Sequence, residues 1–345
     1  MHFLITGHTG FKGSWLTAWL ANSGHRISGI SNDPKQNALF ARARVEKLMS
    51  HDIREDIRDA SLIKDALNRI QPDVVIHMAA QPLVRESYRN PRLTMETNVM
   101  GTFNVLSAVQ SSDSVQAQLV ITTDKVYRNL HQKVGYVESD PLGGEDPYSA
   151  SKAMADILTR SLVRSFGGPP TAIARAGNVL GGGDIGNERL LPDLMAAALS
   201  GEEPVLRFPD AVRPWQHVLD CLNGYMMLLA LMIEAEEPVS DWGAWNFGPG
   251  DDNLVTVREI AARVADLWGV EQALGSARPV LREAELLNLD TRKARSELEW
   301  SNVLSLDQAL EWTVDWTRRA QRGEDPLKLM SDQISRFEDL RDLSE

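Results

Sequence analysis

The chain has 345 residues, 43% hydrophobic and 24% charged, enough for a sizeable core in one large or two modest domains. A formal net charge of −12 opposes binding to nucleic acid or an anionic membrane, so a phosphate-bearing ligand needs a local cationic or backbone-amide site. One cysteine, Cys221, excludes an internal disulfide, and no Cys/His cluster has zinc spacing, so no metal is expected. The opening "MHFLITGH" enters a strand and a glycine turn at once, with no basic segment or cleavage site of a signal peptide. The longest apolar stretch, "YMMLLALMI" at 225–233, falls short of the roughly 20 residues of a membrane span and reads as a buried helix. A cytoplasmic protein is expected.

The first half alternates short apolar runs with helical patterns. Strands are predicted at 2–6, 25–30, near 47–52, at 73–78, 117–122 and 171–176, and helices over 11–23, 60–70, 91–111 and 147–166. The strands are apolar throughout rather than alternating, which implies burial on both faces. Strand–helix repetition of this kind predicts an α/β fold with a doubly wound parallel sheet. Beyond 176 the regularity breaks. "GNVLGGGD" (177–184) reads as a glycine-rich loop, and "RFPDAVRPWQHV" (207–218) is too proline-rich for a simple helix. Amphipathic helices are predicted over 255–268 and 305–320, with Thr256 and Ser305 as N-caps and Trp268, Trp312 and Trp316 facing a core. The end, "SRFEDLRDLSE", reads as a charged, solvated tail.

"TGHTGFKG" (6–13) lies between the first strand and the first helix. Gly7, Gly10 and Gly13 form a G-x-x-G-x-x-G series, with Thr9, Phe11 and Lys12 between them. Glycine permits a tight turn and close approach to a pyrophosphate, and the helix N-terminus then faces the phosphates. Asp33 is the acid expected to hold the ribose hydroxyls of NAD, and no arginine stands beside it for a 2′-phosphate, although Lys35 is close. Asp56 and Ile57 follow the third strand. They either flank adenine or, for Asp56, cap a helix. In "DPYSASK" (146–152), Tyr148 and Lys152 are four apart and share a helix face. An adjacent ammonium lowers the pKa of a phenol, so Tyr148 is expected to accept a proton from a sugar hydroxyl.

"TGHTGFKG", "HMAAQPLVRESY" (77–88), "TNVMGT" (97–102), "TTDKVY" (122–127) and "YSASK" resemble the extended short-chain dehydrogenase/reductase family. "GHTGFKGSWL", "RAGNVLGGGD" (175–184), "RLLPD" (189–193), "RPWQHV" (213–218) and "WNFGP" (245–249) are similar, more narrowly, to the CDP-glucose 4,6-dehydratases within it. The resemblance runs from residue 2 to about 316. It implies a Rossmann-type domain over 1–176, with 208–235 returning to it. It implies a smaller C-terminal α/β nucleotide-sugar domain from 177–207 and 236–330, and a tail at 331–345. The reaction implied is CDP-glucose to CDP-4-keto-6-deoxy-glucose plus water, with hydride taken from C4 by NAD and returned at C6.

The resemblance also assigns roles. Thr123 bonds the C4 oxygen, Asp124 protonates the departing C6 hydroxyl, and Lys125 is either the C5 base or a cation beside the enolate. The stretch from His77 through Ala79, Ala80 and Gln81 lines the nicotinamide or its ribose, with Asn98 near the sheet edge. Arg85, Asn178, Arg189, Leu190, Arg207 and Arg213 bind the nucleotide sugar. His217 is assigned to the nucleotide sugar with them, and for both it and Trp215 a place in the core is the alternative. Pairing through 91–111 and 147–166 into a homodimer is implied as well. The departures lie at 128–138, which keeps Asn129, Gly135, Tyr136 and Glu138 but lacks the family's tryptophans, and at Ile185, where tryptophan is common. They bear on which nucleotide and sugar are bound. The rival readings are a dehydratase of a GDP, UDP or dTDP sugar, a 4-epimerase, and a non-catalytic nucleotide-binding regulator.

Overall fold

A computed structural model describes residues 1–130, 132, 134–186, 189–237, 239–250, 254–270, 275–276 and 288–343. Its centre is a parallel sheet. Strand β1 (His2–Thr6) pairs on one side with β2 (Arg26–Ser31), which pairs with β3 (His51–Arg54). On its other side follow β4 (Val74–His77), β5 (Ala117–Ile121), β6 (Thr171–Ala176) and, at the edge, Asp241–Phe247. Strand order therefore reverses between β1 and β4, the place where doubly wound sheets open a crevice at the carboxyl ends of their strands. β1, β4 and β5 are buried along their whole length, as their unbroken apolar runs require.

Helices cover both faces. Phe11–Asn22 and Val218–Glu234 pack with β1, β5 and the C-terminal helices around Trp15, Leu222 and Phe337. Ala60–Ile70 and Gly101–Gln110 cover the other face around Leu67, Val75 and Val105. The helix predicted over 91–111 is continuous but loosens into a π turn at Glu96–Met100. A smaller three-stranded sheet joins Asn178–Leu180, Val212–His217 and Leu254–Thr256. It supports a second core with Leu194, Trp215, Ile260 and Leu310. Both expected caps form full capping boxes, Thr256 with Glu259 and Ser305 with Gln308. Trp312 and Trp316 are buried, while Trp268 is half-buried under Arg318. No helix among the described residues is long and apolar enough to cross a membrane.

Three expectations need correction. The third strand begins at His51, because residues 45–48 turn in a short 3-10 segment that buries Val45. The strand Asp241–Phe247 belongs to the large sheet, so 236–330 does not fall wholly in the smaller lobe. Trp300, from the same range, is buried in the large core as well. The tail is not free: it continues the helix Pro326–Asp342, which buries Ile334 and Phe337 in the main core while Ser335, Arg336, Asp339 and Asp342 stay exposed. Its apolar residues recur at helical spacing beneath a charged outer face, which conceals them in a reading by composition.

Candidate active site

The crevice is a cleft of about 860 Å³ running from the glycine turn to the small sheet. At one end Gly7 has φ +79°, and a Cβ there would lie 2.7 Å from the Ala79 nitrogen. At Gly13 a Cβ would lie 2.4 Å from the Gly7 oxygen. The turn thus requires glycine at both positions, for backbone sign at one and for close approach at both. Gly10 caps Phe11–Asn22 without any side-chain hydrogen bond, and the first turn of that helix carries no acid. Its amides are a ready anion cradle.

Thr9, Phe11, Lys12, Asp33, Asp56, Ile57, Ala79 and Ala80 all line this half of the cleft. Thr9 hydrogen-bonds Ser31 at 2.7 Å, tying the turn to the end of β2. Asp56 faces the cleft but is gripped by Arg58, at 2.7 Å from Nη2 and 2.9 Å from the backbone nitrogen. That guanidinium holds its carboxyl below the usual range. The capping reading of Asp56 is corrected: the helix Ala60–Ile70 is capped by Asp59, whose side chain accepts from the Ser61 and Leu62 nitrogens. Gln81 and Asn98 do not line the cleft. Asn98 accepts from the Gln81 nitrogen at 2.7 Å and donates to Gln81 oxygen and Ser151 Oγ, so these two brace the wall from behind. His77 is likewise buried between Thr6 and Thr102, at 2.7 and 2.9 Å, and burial lowers it to about 3.

In the middle of the cleft, Thr122–Lys125 follows the end of β5. Pro147–Phe166 begins on an Asp146 cap and brings Tyr148 and Lys152 to face it. Lys152 Nζ donates to the Ile121 carbonyl at 2.9 Å. Burial lowers Lys152 to about 8, Lys12 acting in the same direction and Asp156 against it. Burial also pushes Tyr148 up to about 12, opposed by the Thr123 hydroxyl. The expected lowering of Tyr148 by Lys152 is not found. Desolvation disfavours the phenolate more than any neighbour favours it. Thr123 Oγ1 donates to Asp124 Oδ1 at 2.8 Å. Asp124 is only 3% exposed, and its burial raises the carboxyl pKa, against the pull of Lys125, Thr123 and Arg213. A carboxyl so placed can hold and deliver a proton. Lys125 is half-buried in the same wall.

The far half carries the cations. Arg85, Asn178, Arg189, Leu190, Arg207 and Arg213 all line it. Arg189 reaches Asp184 at 3.2 Å and Arg207 reaches Asp193 at 2.9 Å. Arg213 and Trp215 alternate with Pro214 and Gln216 on their strand, so one face presents both to the cleft. Trp215 is buried, and its Nε1 finds no partner among the described residues. The sequence left its role open; period-two spacing from Arg213 was the usable signal. Asp184 and Glu55 also line the cleft and were not anticipated. His217 is a correction. It is fully buried edge-on between Trp15 and Trp312, and lies away from the cleft. The next position on that face turns inward as the helix Val218–Glu234 begins.

The backbone, the turn and the cleft agree with known proteins. Residues 4–313 match the family described as GDP-mannose 4,6 dehydratase. The CDP-glucose 4,6-dehydratase of Salmonella typhimurium is 39% identical, over 96% of this chain and 95% of its own. The dTDP-glucose 4,6-dehydratase of Streptomyces venezuelae, solved with NAD bound, is 26% identical with a TM-score of 0.81, over 95% of this chain and all of its own. The UDP-glucose 4-epimerase of Thermotoga maritima, at 22% identity and a TM-score of 0.83 over 93% of this chain and all of its own, shares the fold. A family match over nearly the whole chain, on a glycine-turn sheet with a Tyr–Lys pair in its crevice, permits one assignment: the chain belongs to the GDP-mannose 4,6-dehydratase family.

Proposed function

We propose that the protein is an NAD-dependent nucleotide-sugar 4,6-dehydratase that converts CDP-glucose to CDP-4-keto-6-deoxy-glucose and water. The observation that carries this reading is Asp124, buried beside Thr123 and Tyr148 with its carboxyl held above the usual range. An epimerase needs no acid at that place; a dehydratase must protonate a departing hydroxyl. The likeness to the Salmonella enzyme supports cytosine as the base.

The residues present fit NAD. Gly7 and Gly13 let the turn close tightly on its own backbone, and the uncapped helix that begins at Phe11, Lys12 and Gly13 suits a pyrophosphate. Asp33 suits the ribose, with Ala79 and Ala80 along the wall. When bound, NAD would supply the hydride acceptor at C4 and the donor at C6. The chain's own groups do the rest. Tyr148, as its phenolate, which burial disfavours in the free chain, takes the C4 hydroxyl proton, while Thr123 holds that oxygen. The resulting ketone acidifies the C5 hydrogen, and Lys125, on the same wall, serves that step as base or as a cation beside the enolate. Asp124 gives its proton to the leaving C6 hydroxyl. Arg189, Arg207 and Arg213 face the diphosphate, in an otherwise acidic protein where such cations must be local. We take the enzyme to be cytoplasmic and homodimeric. Met100, Phe103, Met154 and Ile157 are exposed on the helices over 91–110 and 147–166, an apolar surface suited to a second copy.

Purified protein incubated with CDP-, dTDP-, UDP- and GDP-glucose tests this. Loss of water from CDP-glucose alone, with no net reduced cofactor, is the expected result. Turnover of another nucleotide sugar would reassign the base pocket, and epimerisation or binding without dehydration would overturn the reading.

A further inference from the structure

The glycine turn presents Gly7 and Thr9 to the cleft, but the residue between them points the other way. His8 is fully buried and does not line the cleft. Its imidazole lies over Gly29 of β2, where a Cβ would stand 2.3 Å from both Cγ and Nδ1 of the ring. Gly29 pairs in register with Asp52 of β3. His8 Nε2 accordingly reaches across and donates to Asp52 Oδ1 at 2.8 Å. The acceptor is fixed in turn. Arg54 donates to Asp52 Oδ2 at 2.6 Å, and Arg54 and His8 both pack on the ring of Phe40, at 4.7 and 5.3 Å from its centre. From the other side Gly13 admits the backbone of His8, since a Cβ at Gly13 would lie 2.7 Å from His8 Cα.

We propose, on the reading of this turn as the NAD site, that His8 is a positioning residue for the cofactor: its bond to Asp52, in the space that Gly29 leaves, holds the turn in the shape that receives the pyrophosphate. Glycine loses more conformational freedom than any other residue when it is fixed. A turn built on Gly7, Gly10 and Gly13 must therefore be held from outside, or the cost of ordering it falls on binding. Two ties run to the end of β2. The Gly7 nitrogen donates to the Ile30 carbonyl at 2.9 Å, and Thr9 meets Ser31 at 2.7 Å. His8 adds a tie to β3, from a fully buried donor to a carboxylate, the stronger kind of hydrogen bond. Because His8 stands between Gly7 and Thr9, any shift of its imidazole carries both of these cleft-lining residues with it.

Calorimetric titration of NAD into the full chain, stripped of nucleotide and without substrate, tests this. His8→Ala leaves Asp52 without that donor and opens a void over Gly29. It is expected to raise the NAD dissociation constant roughly tenfold, the scale of one hydrogen bond to a charged group. His8→Gln places an amide donor near the same point and should keep most of the affinity. Asp52→Ala breaks the same bond from another strand and should weaken NAD by a similar factor. It carries the test if His8→Ala does not fold. Because the two substitutions remove one contact, the double variant should bind no more weakly than either alone. Folded single variants that bind NAD as the parent does, or losses that multiply in the double variant, overturn the proposal. Weaker NAD binding by His8→Ala, in a protein that dehydrates no nucleotide sugar, supports the His8 role while overturning the proposed function. A parent chain that takes up no NAD overturns both.

Discussion

At the scale of single residues, environment decides which chemistry a side chain can do. Asp124 and Asp156 are both buried aspartates near the end of β5, yet they differ. Asp156 is held by the Arg175 guanidinium in a two-point pair at 2.8 Å. Asp124 accepts from Thr123 and pairs with no guanidinium at such range among the described residues, and desolvation raises its carboxyl pKa. Asp124→Asn preserves shape and removes the proton source. It should lower dehydration by roughly 10²- to 10⁴-fold while C4 oxidation persists, so reduced cofactor should appear on adding substrate. Stopped-flow absorbance and product mass measure both, and unimpaired dehydration would remove Asp124 from the mechanism. The sequence exposed this residue because it ends a buried strand beside a threonine and a lysine. It concealed the state of Tyr148, whose burial outweighs its neighbour.

At the scale of elements, buried polar groups lock the catalytic segment to the scaffold. Arg175 on β6 also donates to the Tyr127 hydroxyl at 2.8 Å and the Glu138 carbonyl at 3.0 Å. Tyr127 then donates to Asn246 on the edge strand at 2.7 Å. Arg175→Met leaves Asp156 as a buried, unpaired charge and should cost about 3–5 kcal/mol. Adding Asp156→Leu should recover most of it, and urea unfolding of the single and double variants measures the difference. No recovery would mean that the pair contributes through packing instead.

Asp220, in the first turn of Val218–Glu234, accepts from the Val303 nitrogen at 2.6 Å, and burial raises it to about 7. Its unfolded value is about 4. Between these values the folded chain keeps a proton that the unfolded chain has lost. Stability therefore falls as pH rises from about 4 to about 7, and the whole cost is present above that. Asp220→Asn should flatten this dependence by something on the order of 2 kcal/mol. Unfolding of both proteins at pH 5 and pH 8 checks it, and identical losses would show Asp220 ionised throughout. Nothing in the local sequence "HVLDCLNG" marks this acid as buried; the contact with residues 303 and 304, far along the chain, makes it so.

At the scale of the whole molecule, one crevice gathers residues from the first turn to Val257. The reversal of strand order at β1 and β4 makes the crevice, and the small sheet closes its far end. The apolar face with Phe103, Met154 and Ile157 is the surface proposed for a second copy. Ile157 is 55% exposed, so Ile157→Glu should leave the monomer folded and abolish pairing. Sedimentation velocity distinguishes a dimer that dissociates from one that forms elsewhere, and an unchanged dimer would move the interface off these helices.

The sequence by itself determined the alternation of strands and helices, the glycine turn, the caps at Thr256 and Ser305 and the Tyr148–Lys152 spacing. These are local facts, written in the period of apolar residues and in turn chemistry. Tertiary structure alone decided the rest. It sent Asp241–Phe247 to the large sheet, folded the charged C-terminal segment onto the core through Phe337, and enclosed His217 between two tryptophans. It also set the proton affinities of Asp124, Tyr148 and Lys152. Burial and long-range charge arise only when distant segments meet, and desolvation, the largest influence on all three groups, has no counterpart in the order of residues along a chain.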